Sequence, residues 1–286
     1  MFDQAESLRR LTRRASRPAS FAIVGADGSG CSTLTAELAI SLTRNGQRPL
    51  LLDAQPGQVL SRRLGLPPAA TLSGPTRRPR ALSELMSQSP HGITLLNLYA
   101  SAAERAELSE LAWHRLQGEF QPLERDADVV LINAPSPADD PIPAGIADNL
   151  ILVLGPDTES LTQAYAELKR LHGFAGRLSA NVLINRCDHL DEARLLFNRL
   201  AEVAGSYLQL PLRMVGFVPY DISVPRSQTL RRPLADAFPH SEAAEAYGQL
   251  AAQLPHWHTP PPGGADTGYL ELLASASRDC TLAIGF

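Results

Sequence analysis

Lysine is nearly missing from this chain: Lys169 is the only one in 286 residues, although Lys and Arg together number 26. Chemistry that needs an ammonium on a loop is closed off unless arginine performs it. Cysteine is scarce as well. Cys31, Cys187 and Cys280 lie far apart, which excludes a disulfide framework and the paired spacing of a zinc site. No apolar run approaches the ~18 residues of a membrane span, and the N-terminus is too charged for a signal peptide. A net charge of −4 argues against general nucleic-acid binding. Together these features point to a cytoplasmic chain, long enough for one large α/β core with appendages.

Composition divides the chain into four stretches. Residues 1–18 are polar and arginine-rich, ending at Arg17-Pro18. Residues 19–254 alternate apolar strand-like runs with helical patterns, as βαβ units do. Strands are expected at 20–24, 49–53, 93–97, 128–133, 149–154, 180–185 and 214–218. Helices are expected near 33–44, 104–124, 159–171, 189–204 and 241–254. Residues 255–268 form a Pro/Gly linker that should hold neither helix nor strand. Residues 269–286 form a C-terminal tail, read as a short helix followed by an extended end. The body predicts a single doubly wound, mostly parallel sheet covered on both faces. Its ligands belong beyond the carboxyl ends of the strands, where the loop after the first strand, Asp53 and Asn133 converge.

That loop carries the chemistry. Gly25-Ala26-Asp27-Gly28-Ser29-Gly30-Cys31-Ser32 has the spacing of G-x-x-x-x-G-K-[ST], but Cys31 stands at the lysine position. A strand precedes the loop and a helix follows, so backbone N–H groups and the helix dipole still favour an anion. The ammonium that offsets the outer phosphates is gone, and Asp27 adds a negative charge. Asp128 to Asn133 has the layout of a Walker B strand ending in a neutral amide, which cannot supply charge to a hard cation. Asp53, ending the second strand, keeps its carboxylate and is the one catalytic remnant; Ser32 and Asp53 are the metal candidates if a Mg-nucleotide binds. Drift towards arginine does not explain Cys31 or Ala26, because such drift preserves charge. A thiol at a helix N-terminus also admits a redox reading, but no neighbouring cysteine or histidine supports it.

The ordered series of motifs resembles the MinD/ParA class of P-loop ATPases, and within it the flagellar-number regulators (FlhG, also called FleN). The series runs through Leu52-Asp53-Ala54-Gln55-Pro56-Gly57, Leu64-Gly65-Leu66 and Gly155-Pro156-Asp157-Thr158-Glu159-Ser160. It continues through Leu183-Ile184-Asn185-Arg186, Gly216-Phe217-Val218-Pro219-Tyr220-Asp221 and Arg232-Pro233-Leu234. The resemblance implies a cofactor site for ATP and Mg²⁺ at Gly25, Gly28, Gly30, Cys31, Ser32, Thr33, Asn185 and Arg186. Here Ala26 and Cys31 replace the family's two loop lysines, and Gln55 replaces the second aspartate of its D-x-D-x-G segment. The subfamily assignment rests on Asp3-Gln4-Ala5-Glu6-Ser7-Leu8-Arg9, which fits the D-Q-A-x-x-L-R helix that engages the flagellar GTPase FlhF. Asp3, Gln4, Ala5, Leu8 and Arg9 are the expected partner-binding residues, and Asp3 and Glu6 have capping-box spacing.

A charge-assisted phosphate contact is worth about 1.5–3 kcal/mol. Losing two cations therefore lowers triphosphate affinity by roughly 10²–10⁴-fold. The resulting expectation is a pseudo-ATPase scaffold for flagellum number and assembly, recruited to the cell pole. Its expected partners are FlhF, basal-body (C-ring) proteins or a flagellar transcription regulator, and a second copy of itself. Membrane association is not expected, since the tail lacks a basic amphipathic face. The rival readings are an atypical active ATPase rescued by arginine or Asp53, and a related pilus or cellulose-secretion localisation factor.

Overall fold

In a computed structural model, residues 17–72, 80–176, 179–257 and 267–284 are described. The N-terminal heptad and most of the Pro/Gly linker lie outside those residues.

Strand β1 (Ala19–Gly25) leads into helix α1 (Cys31–Arg44), then β2 (Pro49–Asp53) and a short α2 (Val59–Arg63). Next come α3 (Leu82–Leu85), β3 (Met86–Gln88), β4 (Thr94–Asn97), α4 (Ala102–Ala106), α5 (Glu110–Asp126), β5 (Val129–Asn133) and α6 (Ile142–Gly145). The remainder is β6 (Asn149–Leu154), α7 (Thr158–Ala175), β7 (Ala180–Cys187), α8 (Leu190–Leu208), β8 (Leu212–Pro219), α9 (Ser223–Thr229), α10 (Leu234–Ala237), α11 (Glu242–Gln253) and α12 (Tyr269–Ile284).

One eight-stranded sheet in the order β3-β4-β2-β5-β1-β6-β7-β8 organises the whole. Its pairings are parallel except β3 with β4. Strand β1 lies between β5 and β6, so the direction of winding reverses beside it. Alternation along the strands divides the core into two layers. Ala22, Val24, Leu52, Val130 and Ile132 face the side covered by α5, α7, α8 and α12. Phe21, Ile23, Leu51, Leu131 and Val153 face the side covered by α1 and α11.

All seven expected strands are present. The helix expected over 104–124 is instead two. Ser101 caps α4 through Glu104 N, and Ser109 starts α5 by accepting from Ala112 N. Each serine offers the backbone a fresh N-cap, which ends one helix and opens the next.

Two expectations for the C-terminal region need correction. The linker was expected to begin without helix at 255, yet Leu254–Trp257 forms a 3₁₀ turn with Trp257 buried. Arg213 fixes it by donating to the Trp257 carbonyl at 2.7 Å and the His256 carbonyl at 3.3 Å. The tail is a 16-residue helix, α12, and not a short helix with an extended end. Tyr269, Leu270, Leu273 and Ala274 bury one side of α12 against the body. Tyr269 N–H donates to Glu124 Oε1 at 2.9 Å, and Tyr269 Oη–H donates to the Pro143 carbonyl at 2.9 Å. Among the described residues, no helix is long and apolar enough to cross a membrane.

Candidate nucleotide site

The glycine loop folds because two of its residues accept left-handed backbone, Gly28 at φ 76° and Gly30 at φ 99°. A side chain at Gly30 would also collide with the Asn185 amide. Ser29 and Cys31, which follow the turn, point inward. Their side chains are buried and lie 3.2 Å apart, Oγ to Sγ. Asn185 at the end of β7 donates its amide to the Ser29 carbonyl at 2.7 Å, pinning the loop from across the site. No side chain caps α1, so its first-turn N–H groups still face outward as a partial positive charge.

Burial pushes the Cys31 thiol up to about 12. It is therefore protonated at neutral pH, and the redox reading loses its thiolate.

Ser32, Asn133 and Asp53 meet as expected at the carboxyl ends of β1, β5 and β2, and they bond to one another. Ser32 Oγ–H donates to Asn133 Oδ1 at 3.3 Å, and the Asn133 amide donates to Asp53 Oδ1 at 2.8 Å. The second Asp53 oxygen accepts Leu60 N–H at 3.2 Å in α2, and Oδ1 also accepts Gln55 N–H at 3.4 Å. Gln55, at the family's second aspartate, donates to the Ala134 carbonyl at 2.9 Å. Asp53 is 1% exposed, and burial raises its carboxyl above the ordinary range. The magnesium corner of a P-loop is thus filled by a closed hydrogen-bond chain. These residues do not fit the cation: the lone carboxylate holds α2 and the Walker B position is a neutral amide. Among the described residues, no group of three or more metal-ligating side chains exists.

A second acid bears on the loop. Glu167 of α7 is buried, accepts from Ser136 Oγ–H at 3.0 Å, and is electrostatically coupled to Asp27 and Cys31. Lys169 is exposed and does not line the site.

Outside the loop the cavity is not free of cations. A space of about 420 Å³ opens between the loop, the ends of β7 and β8, and α11. Arg63, Arg186, Gln228 and Tyr247 line it together with Thr33 and Asp221. Arg186 has left-handed backbone at φ 62° and sits beside Gly155, where an added Cβ would lie 3.2 Å from Nη2. Arg63 and Tyr247 escaped the sequence reading because neither belongs to a spaced motif. Folding brings them from α2 and α11, 184 positions apart in sequence, and the only local signal was the doubled arginine Arg62-Arg63.

The comparisons with known proteins agree with this architecture. The antiactivator FleN of Pseudomonas aeruginosa is 28% identical over 239 residues, covering 82% of this chain and 85% of FleN. Among solved structures, the cell division protein MinD of Aquifex aeolicus superposes with a TM-score of 0.63 at 17% identity, covering 85% of this chain and 98% of MinD. The septum site-determining protein MinD of Pyrococcus horikoshii, solved with Mg-ADP, gives 0.55 at 19% identity over 83% of this chain and 96% of that one. The profile of the CobQ/CobB/MinD/ParA nucleotide-binding domain matches residues 21–234. The chain belongs to that family.

Proposed function

We propose that this protein is a regulator of flagellum number and assembly that works as a non-hydrolysing scaffold. The observation that carries the loss of turnover is the Ser32–Asn133–Asp53 chain, which commits the metal-binding groups to one another. Phosphoryl transfer depends on positioned charge, and the loop offers no cation of its own. Likeness to FleN, named an antiactivator, supports the flagellar assignment and a transcription regulator among the partners. The N-terminal Asp3-Gln4-Ala5-Glu6-Ser7-Leu8-Arg9 supports an FlhF-type GTPase as the direct partner, with Gln4 and Leu8 at the contact. Basal-body proteins, a second copy of the chain and the cell pole complete the proposed setting.

Two measurements test the proposal. Phosphate release from Mg-ATP should stay at background, and sustained turnover would end the scaffold reading. FlhF captured by the wild-type chain should be lost with Gln4→Ala or Leu8→Asp, and equal capture by all three would remove the partner assignment. One observation favours the rival active ATPase: Arg63 and Arg186 line the cavity. The phosphate-release assay separates the two.

A further inference from the structure

We infer that the cavity has been rebuilt as a metal-independent anion site, in which Arg63 and Tyr247 take the phosphate of a small phosphorylated ligand. This inference deepens the reading of the site as non-hydrolytic and rests on it.

The first support is an unpaired phenol. Tyr247 is 2% exposed and lines the cavity, and its hydroxyl has no hydrogen-bond partner among the described residues. The hydroxyl is not among the fully enclosed atoms that lack a partner, so it keeps a donor to offer where Tyr247 borders the cavity.

The second support is an unpaired guanidinium. Arg63 lines the same cavity, and its Nε is buried without a hydrogen-bond partner. It makes no ion pair among the described residues. Glu37 of α1, which interacts with it electrostatically, spends Oε1 on Leu234 N–H at 2.9 Å and leaves Oε2 buried without a hydrogen-bond partner. Arg63 and Tyr247 line the same cavity and interact electrostatically with each other and with Glu37.

The third support is the setting. The uncapped first turn of α1 opens on the same space at Ser32 and Thr33, adding its partial positive charge. The volume falls within the ~300–1,000 Å³ of small-molecule sites. No divalent cation is needed, because the guanidinium comes from α2 and the metal corner is closed. A guanidinium and a phenol are both donors, matching the oxygens of a phosphate.

The test is calorimetric titration of the full-length protein with ADP, inorganic phosphate or adenosine, each in EDTA and again with Mg²⁺. The expected result is ADP binding in EDTA that Mg²⁺ does not improve, and no binding of adenosine. Phosphate binding alone would assign the anion itself, and ADP binding alone a nucleotide; either supports the site. Arg63→Gln should weaken the anion about 10-fold or more, and Tyr247→Phe about 5-fold, as expected for losing a charged and a neutral hydrogen bond. Strict dependence on Mg²⁺, equal binding of adenosine, or unchanged affinity in a folded Arg63→Gln protein would overturn the inference. So would no binding of either anion at millimolar concentration. Turnover of Mg-ATP is measured separately, and it fails the scaffold reading without bearing on metal-free binding.

Discussion

Asn133 donates its side-chain amide to the Asp53 carboxylate at 2.8 Å, so the Walker B position adds a hydrogen bond to the first carboxylate where an acid would add a second negative charge. Both are essentially buried, at 0% and 1% exposure.

Restoring the ancestral-looking acid with Asn133→Asp should therefore harm the fold before it helps chemistry. It replaces a donor with a like charge, and the cost at pH 7 is about 2–3 kcal/mol. For a domain of this size that lowers Tm by roughly 4–10 °C. Thermal melts should show the loss shrinking as pH falls, because burial already raises the Asp53 carboxyl and a second carboxylate beside it favours uptake of a proton by the pair.

Glu37 sets a pH dependence of stability. Burial raises its carboxyl from 4.5 to about 7. The unfolded chain releases this proton at lower pH than the folded one, so the contribution is fully present below 4.5 and is lost as pH rises through about 7. At about 1.4 kcal/mol per pH unit the loss is on the order of 3 kcal/mol. Glu37→Gln keeps an acceptor for Leu234 N–H and cannot ionise. Its Tm should exceed that of the wild type at pH 8 and approach it at pH 5. A parallel decline in both proteins would contradict the assignment.

Cys31 and Cys187 should resist alkylation in the native protein. Burial pushes their thiols up to about 12 and about 11, and the acids Glu192 and Asp188 add to the effect at Cys187. Peptide mapping after iodoacetamide at pH 8 should find both unmodified, and both labelled in urea. Rapid native labelling of Cys31 would return the loop to redox chemistry.

The two arginine ion pairs of α4 and α1 differ in setting and should differ in worth. Arg105 is 2% exposed, pairs with Asp140, and donates to Ser277 Oγ on α12 at 3.2 Å. Arg105→Ala should cost about 3–5 kcal/mol, since it strands a buried carboxylate. Arg44, largely exposed beside Asp236 at 2.7 Å, should cost under about 1 kcal/mol when replaced by alanine. Denaturant titration compares the two directly.

The fold was legible wherever apolar runs were long and bounded. Asp128 to Asn133 ends in a polar residue after a buried strand, and Pro49 to Asp53 does the same, so both could be placed from pattern alone. Strand β3 could not. Met86-Ser87-Gln88 contains no β-branched or aromatic residue, and only its antiparallel pairing with β4 makes it a strand. Helix α12 was underestimated because its buried side mixes Tyr269 and Ser277 with Leu270, Leu273 and Ala274. Hydrogen bonds to distant elements fix that side, and these leave no periodic trace. In the site, the loop, Asp53 and Asn133 were visible because they sit in short spaced motifs. Arg63, Tyr247 and Glu167 were not, since proximity between remote helices is a property of the folded chain.

Arg17 grips Asp148 with both arms of its guanidinium, and Ser20 N–H and Oγ–H donate to the same carboxylate at 2.9 and 2.8 Å. This clasp sits at the start of β1, and the glycine loop hangs from its other end. The two are joined by seven residues of extended chain, about 23 Å of taut backbone in the middle of the sheet. Anything tugging on residues ahead of Arg17 meets the clasp first. Load passing beyond it runs along the very strand that ends in Gly25, so the leading segment and the pocket share one mechanical axis.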